Sequence, residues 1–125
     1  MANKTPIPTE ISLRQNARQL TVNFESGEQF EFTCEFLRVY SPSAEVRGHS
    51  PDQSVLQVGK ADVNIKDIEP IGNYAVRLHF DDGHDSGIYS WDWLYHLGQH
   101  HDQLWQTYLE ELEKAGQKRS PSTVN

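Results

Sequence analysis

Apolar residues alternate with polar ones at Leu20, Val22 and Phe24, and again at Phe30 and Phe32 after Glu25-Ser26-Gly27-Glu28. A period of two turns one face of each run toward a core, so this segment predicts two strands joined by a tight turn. Ile11–Arg14 is a shorter alternating run before them. From Cys34 to Tyr40 the spacing becomes helical, with Phe36, Leu37 and Tyr40 on one side, and Pro42 stops the helix. Residues 41–60 carry Ser, Pro, Gly, Asp and Gln with little periodicity. An irregular loop of such length is uncommon in a compact domain and points to function or flexibility.

Val63–Ile71 reads as one strand, or as two short ones interrupted by Pro70. Tyr74, Val76, Leu78 and Phe80 then alternate, with Asn73, Ala75, Arg77 and His79 on the opposite face. Asp81-Asp82-Gly83 predicts a tight turn, since Asp-Gly readily takes the positive φ such turns need. Ser90 as N-cap, Asp92 in the first turn and Gly98 as C-cap bound a short helix. Leu104, Trp105, Tyr108, Leu109 and Leu112 mark a last amphipathic helix, with Glu110 and Lys114 as an i,i+4 pair.

The two halves echo one another. Leu20, Val22, Phe24, Gly27 and Phe32 align with Val76, Leu78, Phe80, Gly83 and Ile88, and Phe36-Leu37 meets Trp93-Leu94 after one residue of slack. A βββα pseudo-repeat is one reading of this echo, and chance likeness between hairpin–helix units is the other. Either way the fold class is α+β, a two-layer arrangement of antiparallel hairpins with short helices and a C-terminal amphipathic helix. The expected organisation is a flexible N-terminus at 1–7, a single domain over 8–115 and a disordered polar tail at 116–125.

Composition narrows the function classes. The chain has 125 residues, 36% of them hydrophobic, which suffices for one modest core. A net charge of −7 with scattered Lys and Arg argues against nucleic acid, which needs a basic face. No stretch approaches the roughly 20 apolar residues of a membrane helix. Met1–Thr9 has no apolar run of signal type, and Cys34 is the sole cysteine, so a reducing cytoplasm is the expected location.

From Phe80 to Gly98 the chain reads F-D-D-G-H-D-S-G-I-Y-S-W-D-W-L-Y-H-L-G. The stretch Asp82–Tyr89 followed by Trp93-Leu94 is joined by Phe36-Leu37-Arg38, Ser41-Pro42-Ser43-Ala44-Glu45, Gly59-Lys60 and Gly72-Asn73-Tyr74. Together they resemble the N-terminal domain of gamma-butyrobetaine hydroxylase in its stand-alone bacterial form, formerly a domain of unknown function. The likeness runs from Pro8 to Gly98. It implies, for the hydroxylases, a structural zinc held by three cysteines and one histidine. The matching positions here are Ser41, Ser43, Val46 and His84. Neutral hydroxyls are poor zinc ligands and valine is none, so no zinc of that kind is expected. The hydroxylases' iron chemistry belongs to a separate C-terminal barrel, so the resemblance implies no enzyme activity. Similar modules joined to P-loop iron–sulfur carrier proteins imply an accessory role near iron–sulfur assembly.

The residues expected to matter are those of a protein-docking surface on the 47–59 loop and the 81–95 turn and helix: Arg38, Arg47, His49, His84, Tyr89 and Trp91. The partner is an unidentified protein, and no cofactor is expected. The alternative is a zinc or iron site formed by His84 and His49 with Asp81, Asp82 and Asp85, an N/O donor set. Against it stands a plain role for His84, fixing its turn by hydrogen bonds. His79 and Asp81 spell a non-haem iron pair, but no third ligand accompanies them. His96 and His100 lie four apart, a spacing that on one helix brings two imidazoles to a common metal, yet a helix break at Gly98 spoils that geometry, and His101 reads as solvent-facing. Cys34 reads as buried filler, and Gly59-Lys60 lacks the rest of a phosphate loop.

Overall fold

The computed structural model describes residues 5–48 and 54–119. Three strands, β1 (Pro8–Arg14), β2 (Gln19–Phe24) and β3 (Gln29–Thr33), form one antiparallel sheet in the order β1-β2-β3. Val22 lies opposite Ile11 and Phe30, which sets the register. Strands β4 (Ile65–Ile71), β5 (Ala75–Phe80) and β6 (Ile88–Ser90) form a second antiparallel sheet in the order β4-β5-β6. Pro70 lies within β4, which tolerates it as an edge strand with no partner on its outer side. The helices are α1 (Cys34–Val39), α2 (Ala44–Arg47), α3 (Trp91–Gln99) and α4 (His101–Ala115). The α+β class is as expected, and no helix among the described residues is long and apolar enough to cross a membrane.

Both halves run strand, strand, strand, helix. Gly27 and Gly83 take φ of 96° and 91°, conformations open to glycine, and each donates to the carbonyl of the phenylalanine ending the strand before it. Thr33 and Ser90 cap the following helices by accepting from the Phe36 and Trp93 amides. A shared order is not a repeat of structure: β6 has three residues where β3 has five, and Phe32 is buried where Ile88 is exposed. The sheets also remain two separate sheets.

The core joins Leu20, Val22 and Phe24 of β2 to Val76, Leu78 and Phe80 of β5, with Phe36 and Leu37 of α1 and Leu94 and Leu97 of α3. Helix α1 is buried along its whole length, Glu35 and Arg38 included. Tyr74, expected in the inward row of β5, instead lies in the preceding turn with 56% of its surface exposed. Residues 41–60 are not wholly irregular, because α2 forms there with Ser43 accepting from the Glu45 amide. The chain beyond α4 stays attached through Arg119, whose guanidinium pairs with both carboxylate oxygens of Glu35 at 2.8 and 3.0 Å. The tail expected from residue 116 is therefore engaged as far as residue 119, and 120–125 lie outside the described residues.

Gly98 does not end its helix. Helix α3 continues to Gln99, and the His100 amide donates to the His96 carbonyl at 3.1 Å. The glycine serves packing instead: a Cβ there would meet the Phe30 ring at 2.2 Å. Gly98→Ala should therefore destabilise the fold by roughly 1–3 kcal/mol, the cost of overpacking, despite alanine's better helix propensity. Urea unfolding measures this; an unchanged or raised midpoint would show that Phe30 moves aside freely.

Candidate functional site

The turn after β5 and the segment after α1 meet at His84. Its Nε2 lies 2.8 Å from Ser41 Oγ and its Nδ1 3.1 Å from Glu45 Oε1. Ser41 Oγ also accepts from the Ser43 amide, and the Ser43 and Ser86 hydroxyls are 2.7 Å apart. Gly87 closes the cluster, where a Cβ would stand 2.5 Å from Ser41 Oγ. Ser41, Ser43 and His84 are buried, and Val46 is buried within α2. Ser41 thus meets His84 directly and Ser43 joins through Ser41, so two of the three positions matched to zinc-ligand cysteines bear hydroxyls of one hydrogen-bonded cluster.

Asp82 organises the same turn from the other side. Its carboxylate accepts from Arg38 Nε at 2.9 Å, Lys60 Nζ at 2.7 Å and the His84 amide at 3.2 Å. Burial pushes its pKa up, but Lys60, the His84 amide and Arg38 outweigh that and hold it at about 2. For His84, burial and the Arg38 charge push the pKa below its ordinary value, against the pull of Glu45 and Asp82. Tyr89 is buried completely and donates to the Leu37 carbonyl.

Several sequence expectations change here. Arg38, His84 and Tyr89 are buried, so they cannot present a docking surface. Arg47 and Trp91 keep exposed atoms, and His49 lies outside the described residues. The carboxylates of the alternative metal set diverge: Asp81 accepts from the Asn64 amide, Asp82 holds Arg38 and Lys60, and Asp85 is 3.9 Å from His79. His79 itself faces Glu69 at 3.0 Å, not Asp81. Among the described residues, no three His, Cys, Asp or Glu side chains converge as a metal site. Cys34 is buried, and burial pushes its thiol up to about 11, which makes it inert at neutral pH.

Ser41, His84 and Glu45 have the connectivity of a nucleophile, base and acid. Ser41 is wholly buried, and neither of two concavities among the described residues is lined by it or by His84.

The larger concavity is elsewhere. A groove of about 490 Å³ runs between α4 and residues 54–57, with Tyr40 and Arg47 in its wall. Two tyrosines build it: Tyr40 donates to the Leu104 carbonyl at 2.6 Å, and Tyr108 to the Gln57 carbonyl at 2.7 Å. The Arg47 guanidinium lies over the Tyr40 ring and donates to the Val39 carbonyl, while its Nε is buried with no hydrogen-bond partner among the described residues. The groove fell within the loop that the sequence marks as functional, but its other wall, α4, carried no sequence signal beyond amphipathicity.

A small α+β module with two three-stranded sheets, fastened through a buried Ser41–His84 pair that an exposed Glu45 caps, is therefore the class of protein defined here. The chain belongs to the gamma-butyrobetaine hydroxylase-like N-terminal family, whose model matches residues 11–95. Two proteins solved by NMR are similar over nearly the whole length, one 47% identical (TM-score 0.83, covering 97% of this chain and 95% of that one) and one 48% identical (TM-score 0.81, covering 100% and 95%). A crystal structure from Acidithiobacillus ferrooxidans, a protein of unknown function in the DUF971 family, is 33% identical with a TM-score of 0.64, covering 78% of this chain and 98% of that one. No curated protein matches the chain.

The cluster predicts a pH dependence. An unfolded His84 protonates at its ordinary value of 6.5, and the folded one only below it. The histidine's contribution is complete above pH 6.5 and is lost as the pH falls from there through the lowered folded value. Asp82 adds a second loss nearer pH 2. Thermal midpoints between pH 7.5 and 5 should fall in the wild type and fall less in His84→Gln. Parallel curves for the two proteins would show that another group controls the titration.

Proposed function

We propose that this chain is a small non-catalytic adaptor that takes an apolar side chain of a partner protein into the groove between α4 and residues 54–57. The observation that carries this reading is the groove's composition. Val55 and Val58 are 53% and 38% exposed on the segment beside it, and Val55 lines it. Arg47 supplies a cation fixed over the Tyr40 ring and by its bond to the Val39 carbonyl. Arginine and tyrosine beside the apolar Val39, Val55, Leu56 and Leu104, in a recess whose remaining lining is polar, resemble the composition of interaction hot spots. The chain's acidic balance supports a protein partner over nucleic acid. A role near iron–sulfur assembly stays a proposal drawn from resemblance.

A zinc or iron site at His84 has less support, since Ser41 and Glu45 engage both ring nitrogens and the turn carboxylates face other partners.

A photo-crosslinking residue at position 55 should capture a partner from cells that express the protein, and the captured protein is then titrated directly. Val55→Asp and Arg47→Glu should each weaken binding about tenfold or more, as hot-spot substitutions do, while Tyr74→Ser, on a different surface, leaves it unchanged. If both groove variants bind like wild type, the docking face lies elsewhere and this reading fails.

A further inference from the structure

We propose that His96 and His100 form a solvent-open chelating site for a borderline divalent cation, copper(II) above nickel(II) and zinc(II). The helix continues through Gly98, so the two histidines stand one full turn apart on a single face. Both are exposed, and their ring centres are 4.7 Å apart with a 48° tilt. With metal–nitrogen distances of about 2.0–2.1 Å, two imidazoles on one ion at 90–110° place their ring centres roughly 4.5–5 Å apart. The observed separation falls in that window, so chelation needs rotation of the rings but no movement of the helix.

Two features prepare the pair. Trp93 stacks on His96 at 5.5 Å and 25°, and its indole N–H is tied to the Tyr40 carbonyl at 2.9 Å, which restricts the imidazole that leans on it. The packing of Gly98 against Phe30 fixes the turn between the two ligands. Neighbouring groups do not complete the shell. His101 packs on Phe36 with ring centres 4.4 Å apart and holds Asp102 at 3.0 Å, and Asp92, a turn before His96, is bonded to Thr5. A cation here keeps open positions for water or for a donor from another molecule, unlike a closed structural zinc. Imidazole donors favour copper, nickel and zinc over magnesium or calcium, and the general affinity order puts copper first.

The test uses tag-free full-length protein titrated separately with copper(II), nickel(II) and zinc(II), followed by calorimetry and tryptophan fluorescence. The proposal expects one copper(II) per chain with quenching of the fluorescence of Trp93. His96→Ala and His100→Ala should each weaken binding on the order of tenfold or more, because the second contact of a chelate is intramolecular. Both positions are exposed, so the variants should keep the wild-type amide spectrum. Absence of copper binding, or binding that survives in the double variant, overturns the proposal. So does a single variant that binds like wild type, since one imidazole is not a chelate. None of these results depends on whether the α4 groove binds a protein.

Discussion

Helix α1 is buried on every side, and that constraint governs the rest of the structure. Six residues with no solvent-facing stripe must place Glu35 and Arg38 inside the protein. An isolated buried charge costs several kcal/mol, so each demands a partner brought from afar. Arg119, beyond the last helix, reaches back to Glu35, and Asp82, in the turn after β5, reaches Arg38. Arg38 also donates to the Gln57 side chain at 2.8 Å, and the backbone carbonyl of Gln57 accepts from Tyr108 of α4. One short helix thereby fastens the C-terminal segment, the second-sheet turn and the groove wall. The groove and the His84 cluster are two ends of a single polar network passing through Arg38.

That dependence also explains what could be read along the chain and what could not. The hairpins were legible because alternation at Leu20–Phe24 and Val76–Phe80 is a local property with one face buried. The Ser90 cap was legible for the same reason, since it bonds an amide three residues away. The burial of α1 was not, because Glu35 and Arg38 resemble a polar face until partners 84 and 44 residues away are known. Gly98 misled for a related reason. A glycine near a helix end ordinarily marks the cap, and only the position of Phe30, on β3 of the first sheet, shows that it makes room for a ring. The docking residues failed likewise: Arg38, His84 and Tyr89 stand out as polar or aromatic, but their burial arises from tertiary packing.

The cluster at His84 shows what hydrogen bonds must do where the related hydroxylase domains are expected to hold zinc. A structural zinc can contribute on the order of 10 kcal/mol to folding, whereas a net hydrogen bond contributes about 1 kcal/mol. Ser41, Ser43, Ser86 and Glu45 cannot match a metal by number alone. Their advantage lies at the buried Ser41–His84 pair, where losing one member strands the other away from water. Close packing reinforces this: Gly87 admits Ser41 only because it lacks a Cβ, and Tyr89 closes the site from beneath through Leu37. The join between the two halves is consequently proton-sensitive, through His84 and Asp82.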